Sequence, residues 1–146
     1  MYSESTHVLI AEDDDDDYLI FSSVIEELKR AIRLSRAEDG KVLIKFLDEK
    51  IPDILFLDIL LPHKDGRQCI REIRSNTRFD ALPVITYSSL KSVESMEFFY
   101  REGANFYVVK PSSFPELKSI LERILAIDWK KALYYPPKAQ FLINPE

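Results

Sequence analysis

Four short apolar runs in this chain end in residues that can do chemistry. His7-Val8-Leu9-Ile10-Ala11 runs into Glu12-Asp13, and four further aspartates, Asp14 to Asp17, follow. Ile54-Leu55-Phe56-Leu57 ends in Asp58, Pro83-Val84-Ile85-Thr86-Tyr87 in Ser88-Ser89, and Phe106-Tyr107-Val108-Val109 in Lys110-Pro111. Carboxylates gathered in one pocket raise one another's pKa values unless a cation compensates. A hard divalent ion such as Mg²⁺ does this with oxygen ligands while keeping several waters. Lysine adds a positive point charge, and cation, lysine and hydroxyl together suit the equatorial oxygens of a transferring phosphoryl group. In such a site Asp58 would be the nucleophile and would form an aspartyl phosphate.

Taken singly, each group has a plainer reading. Asp14 to Asp17 read as a solvated helix start, one of them an N-cap and the rest favourably placed in the helix dipole. Glu12 and Asp13, directly after a buried run, are better placed for metal. Asp58 alone could cap a turn, and a lone lysine or serine at a strand end is usually just solvated. Specificity comes from the joint placement.

That placement requires a fold that brings the ends of the apolar runs together. The runs are strand-sized and unbroken by polar residues, as strands buried on both faces are. Helical periodicity separates them. Leu19, Ile20, Val24, Leu28 and Ile32 predict a helix from Tyr18 to about Ser35, with Ile32 to Ala37 partly a short second strand. Val42, Leu43, Phe46 and Leu47 predict a helix over 40–50, stopped by Pro52. Cys69, Ile70 and Ile73 mark a third helix; Met96, Phe98, Phe99 and Tyr100 a fourth, ended by Gly103. Leu117, Ile120, Leu121, Ile124 and Leu125 mark a fifth, with Pro115 in its first turn. Alternating strands and helices predict a parallel α/β sheet covered on both faces. In such sheets ligands bind beyond the carboxyl ends of the strands.

Composition sets the outer limits. The 146 residues are 46% hydrophobic and 31% charged, which suits a single globular domain. Net charge is −5, and no block of Lys and Arg offers a nucleic-acid surface. The single cysteine, Cys69, excludes an internal disulfide and a Cys-based zinc site, and fits a reducing compartment. No signal peptide is visible, and no run approaches the roughly 18 apolar residues of a membrane span. A cytoplasmic protein is expected.

Over about Thr6 to Ile127 the motifs resemble the receiver domain of two-component response regulators. Val8 to Asp14 is similar to the family's opening strand with its acidic pair. Ile54 to Pro62 with Asp65-Gly66 is similar to the phosphoacceptor strand and loop. Leu82 to Ile85 with Ser88-Ser89, and Gly103-Ala104 with Tyr107 to Pro111, resemble the fourth and fifth strands with their hydroxyl, aromatic and lysine. The resemblance implies a five-stranded, doubly wound (βα)5 fold with flavodoxin-like strand order 2-1-3-4-5. It implies that Asp58 accepts a phosphoryl group from a histidine kinase or phosphotransfer protein. Glu12, Asp13, Asp58 and the backbone carbonyl of Leu60 would hold Mg²⁺, with Glu12 reaching it through water. Lys110 would bridge carboxylate or phosphoryl oxygens. Ser88 would turn to the phosphoryl group and Tyr107 rotate inward with it, changing a docking face.

Two positions depart from the commoner family pattern. Leu60 and Leu90 stand two residues after Asp58 and Ser88, where many receivers carry polar side chains. Two leucines would shield an acyl phosphate from water and lengthen its life, or would simply pack against neighbours. Residues 1–127 are expected to form the receiver and 128–146 an aromatic, Pro-containing extension with no effector domain. Trp129, Tyr134, Tyr135 and Phe141 are too many aromatics to leave bare. Packing back on the domain is the first expectation for them, and a homodimer or partner contact the second. Two rival functions stand behind the leading one. A phosphorylation-independent pseudo-receiver would have lost an acid or the lysine, and all are present. A haloacid-dehalogenase-type phosphatase would need an acid where Leu60 stands.

Overall fold

A computed structural model describes residues 5–131 and 134–143. Met1 to Glu4, and Ala132 and Leu133 of the aromatic tail, lie outside the described residues. Strands and helices alternate as β1 (Thr6–Ala11), α1 (Asp15–Glu27), β2 (Ile32–Ala37), α2 (Gly40–Glu49), β3 (Ile54–Leu57), α3 (Gly66–Ser75), β4 (Val84–Ser88), α4 (Val93–Arg101), β5 (Phe106–Val109) and α5 (Phe114–Leu125). A short helix α6 (Lys138–Phe141) and strand β6 (Leu142–Ile143) follow. The sheet is parallel, in the order β2-β1-β3-β4-β5-β6. The expected 2-1-3-4-5 order is present, and the tail adds a sixth strand to its edge.

Both sheet faces are covered, which is why the strands read as unbroken apolar runs. Val8, Ile10, Ile54, Phe56, Ile85, Phe106 and Val108 pack towards α1 and α5. Leu9, Leu55, Leu57, Val84 and Tyr107 pack the other way, towards α2, α3 and α4. Each of the five main helices starts on a side-chain cap: Asp14, Asp39, Asp65, Ser92 and Ser113 accept from backbone N–H groups in the first turn. Such caps satisfy donors that have no partner within the helix.

The first helix differs from its expected span. It ends at Glu27, and Lys29 takes a left-handed φ of 55°, which breaks the helix before β2. Its buried stripe is Phe21, Val24 and Ile25, while Leu19 and Ile20 of the expected stripe face outward. β2 is an edge strand carrying Arg33, Ser35 and Arg36, so its periodicity is the weakest of the core strands.

The tail packs back on the domain. Trp129 lies edge-on to Phe106 at 6.2 Å and donates from Nε1 to the Ile124 carbonyl at 3.1 Å. Phe141 is buried against Tyr100 and Tyr107, at centroid distances of 5.2 and 6.4 Å. Tyr134 accepts a hydrogen bond at its carbonyl from the buried Asn105 amide at 2.8 Å. Among the described residues no helix is long and apolar enough to cross a membrane.

Candidate functional site

β1, β3 and β5 carry their terminal groups to one edge of the sheet. β1 ends at Ala11 beside Leu57 of β3, so Glu12-Asp13 and Asp58 emerge side by side. The Asp58 N–H donates to the Ala11 carbonyl at 3.1 Å, continuing the ladder one residue past the strand. Gly66 lets α3 start hard against this edge. A Cβ there would stand 2.4 Å from the Asp58 carbonyl oxygen, closer than any side chain tolerates.

Asp58 is 4% exposed and fully engaged. Its Oδ1 accepts from the Ile59 N–H at 2.7 Å and, more loosely, the Leu60 N–H at 3.4 Å; Lys110 Nζ donates to its Oδ2 at 2.8 Å. Lys110 Nζ also lies 2.7 Å from Glu12 Oε1 and 2.9 Å from Asp17 Oδ2. The ammonium sits 5.5 Å above the Tyr87 ring centroid, so an aromatic floor lies beneath the charge. Burial would lower the Lys110 pKa, but hydrogen bonds to Asp58, Glu12 and Asp17 outweigh it and hold the group well above its ordinary value. Lys110 is therefore a fixed cation.

Glu12 is strained electrostatically. Burial raises its carboxyl to about 7, and the Asp58 charge adds to the effect, against the lowering influence of Lys110. One lysine does not neutralise this many acids. Ligand oxygens of Glu12, Asp13 and Asp58 lie within 4.8 Å of one another, with Asp13 exposed at the mouth. An all-oxygen set with one open, solvated side fits a hard divalent cation that retains water. These residues fit Mg²⁺. Leu60, expected to offer its carbonyl, directs its N–H to Asp58, and the residue is 56% exposed.

Ser88 and Tyr107 lie alongside on β4 and β5. The Ser88 hydroxyl is buried and accepts from the Leu90 N–H at 3.3 Å. Tyr107 is fully buried, its hydroxyl donating to the Leu90 carbonyl at 2.7 Å. The aromatic expected to rotate inward is already inside.

Two participants escaped the sequence reading. Asp17, grouped there with the solvated aspartates, reaches Lys110. Arg36 closes the β1–β2 side: its Nε donates to the Glu12 carbonyl at 2.9 Å, and its guanidinium pairs with Asp15 at 2.9 Å and lies 4.6 Å over the Tyr18 ring. Arg36 is the penultimate residue of the polar edge strand, and its place opposite the end of β1 was the available signal. Asp17 carried none that set it apart from Asp15 or Asp16.

A family model for the response regulator receiver domain matches residues 8–122. Among curated proteins, the probable methanogenesis regulatory protein FilR2 of Methanothrix harundinacea is 28% identical over 123 residues, covering 80% of this chain and 79% of that protein. A probable cyclic di-GMP phosphodiesterase of Vibrio cholerae is 32% identical over 111 residues, 76% of this chain but only 25% of that longer protein. Among solved structures, the phosphorylated cyanobacterial phytochrome response regulator RcpA shares the fold with a TM-score of 0.80 and 22% identity, across 88% of this chain and 97% of that one.

Proposed function

Because the chain belongs to the response regulator receiver family, we propose that it is a phosphorylation-controlled signalling module whose acceptor is Asp58. The observation that carries this reading is the Lys110 ammonium held between Glu12 and Asp58 beside the exposed carboxylate of Asp13. The donor would be phosphohistidine on a histidine kinase or phosphotransfer protein. One Asp58 oxygen attacks phosphorus, the bond from phosphorus to the imidazole nitrogen breaks, and that nitrogen takes the electron pair. The imidazole arrives protonated on its other nitrogen and leaves neutral. Lys110 and the Ile59 N–H hold the Asp58 carboxylate in place for attack and offset the charge that gathers on the phosphoryl oxygens. Glu12, Asp13 and Asp58 would hold Mg²⁺, which supplies charge neutralisation at the same oxygens.

Transmission would begin at Ser88. Its hydroxyl accepts a long bond from the Leu90 N–H, and turning to donate to a charged phosphoryl oxygen would draw it away from that N–H. Moving Ser88 frees Leu90, whose carbonyl is the acceptor for Tyr107. A local charge change thereby reaches β5 and the face beneath the tail. A cytoplasmic location goes with this reading.

The test is labelling with acetyl phosphate and Mg²⁺. The parent should take up one phosphoryl group and Asp58→Asn none; equal labelling of both would refute the assignment.

A further inference from the structure

Lys110 Nζ faces three carboxylates: it donates to Asp58 at 2.8 Å and to Asp17 at 2.9 Å, and pairs with Glu12 at 2.7 Å. A lysine ammonium has three N–H donors and no more. Phosphorylation turns Asp58 into an acyl ester and releases the donor it held. A charged phosphoryl group that draws further on Lys110 does so against Glu12 or Asp17. Glu12 is 1% exposed, walled in behind the strand and tied by its Oε2 to the Asp14 N–H at 3.2 Å. Asp17 is different. Its side chain is 40% exposed, and it sits in the first turn of α1, where a change of rotamer returns its carboxylate to water.

We propose that Asp17 is a positioning residue of the phosphoacceptor site, holding one Lys110 donor in the unphosphorylated protein and yielding it to the phosphoryl group. Asp17 thus competes with the phosphoryl group for the lysine and sets how readily the site is charged. The position is specific to Asp17 among its neighbours: Asp14 caps the helix and Asp15 pairs with Arg36. Asp16 is exposed, one residue away, and carries the same charge. The inference rests on Asp58 being the acceptor, and the controls separate the two claims.

Beryllofluoride, which binds an aspartate carboxylate as a non-covalent phosphoryl mimic, is titrated calorimetrically into the full chain with saturating Mg²⁺. The series comprises parent, Asp17→Asn, Asp17→Glu, Asp16→Asn and Asp58→Asn. Removing a half-exposed ion pair from the unloaded state should tighten binding about two- to fivefold in Asp17→Asn. Asp16→Asn reports the effect of the lost charge alone and should change affinity much less. Asp17→Glu retains a carboxylate able to reach Lys110 and should stay near the parent. The advantage of Asp17→Asn should shrink as salt screens the exposed pair. Equal effects of Asp17→Asn and Asp16→Asn, or weaker binding by Asp17→Asn, overturn the proposal while leaving Asp58 as acceptor. Failure of the parent to bind better than Asp58→Asn overturns both.

Discussion

Tyr107 and Ser88 grip the same residue from its two ends. The Tyr107 hydroxyl donates to the Leu90 carbonyl at 2.7 Å, while the Leu90 N–H donates to Ser88 Oγ at 3.3 Å. The tyrosine is already inside, with Phe141 against its ring, so its inward rotation has no outward starting point in this structure. The two residues are joined instead through the Leu90 peptide, to which both are hydrogen-bonded.

Tyr107→Phe removes the hydroxyl and leaves the Leu90 carbonyl without that donor. Unfolding in urea should show a loss of about 1–3 kcal/mol. Labelling of Asp58 should persist. In the parent, beryllofluoride should alter amide exchange in 138–143; in Tyr107→Phe that response should fall. An undiminished response would remove Tyr107 from the route.

Arg74 is a half-buried clamp at the other end of the sheet. It donates to the carbonyls of Gly103, Phe79 and Leu82 and to Asn105 Oδ1, at 2.8 to 3.1 Å. Asn105 in turn accepts from the Val84 N–H and donates to the Tyr134 carbonyl. Arg74→Ala strands these acceptors together and should cost about 3 kcal/mol or more. Chemical denaturation measures it; a loss under about 1 kcal/mol would mean water replaces the guanidinium.

His7 gives the fold an acid-sensitive element. Burial holds its imidazole below the usual 6.5, with Arg33 and Lys50 acting in the same direction. Its Nε2 faces Ser35 Oγ at 2.8 Å. The unfolded chain therefore binds this proton at a higher pH than the folded one. The contribution of His7 to stability is intact above 6.5 and is lost as pH falls through that value towards the lowered one. Melting temperature, followed from neutral to mildly acid pH, should fall more in the parent than in His7→Gln. Parallel curves would exclude this linkage.

The two leucines separate in the structure. Leu90 packs against the core beside α4, whereas Leu60 stands 56% exposed next to Asp58. Leu60 is thus the leucine whose polar replacement would bring a water-binding group beside the acceptor. Leu60→Asn should shorten the lifetime of the phosphorylated form by about tenfold or more. Measured release of phosphate from the isolated protein tests this, and an unchanged lifetime would assign Leu60 to partner packing.

Much of this was written locally in the chain. Strands covered on both faces leave unbroken apolar runs, so β1, β3, β4 and β5 and the residues that end them could be found without coordinates. Edge elements obey weaker rules. β2 faces solvent along one side and mixes Arg33, Ser35 and Arg36 with its apolar residues, and two-residue β6 is too short for any periodicity. Asp17 was hidden for another reason. Within five consecutive aspartates, residue type carries no information, and only the pitch of α1 turns one of them towards Lys110. Tyr107 could be located by its strand, but its partners, the Leu90 carbonyl and the Phe141 ring, come from other parts of the chain.

The residue that takes the phosphoryl group can be read directly. Borohydride reduces an acyl phosphate to an alcohol, turning a phosphorylated aspartate into homoserine that peptide mapping can place. After treatment with acetyl phosphate and Mg²⁺, homoserine should appear at position 58, and Lys110→Ala should sharply reduce it. Homoserine at Asp13 or Asp17, or none anywhere in the parent, would contradict the account.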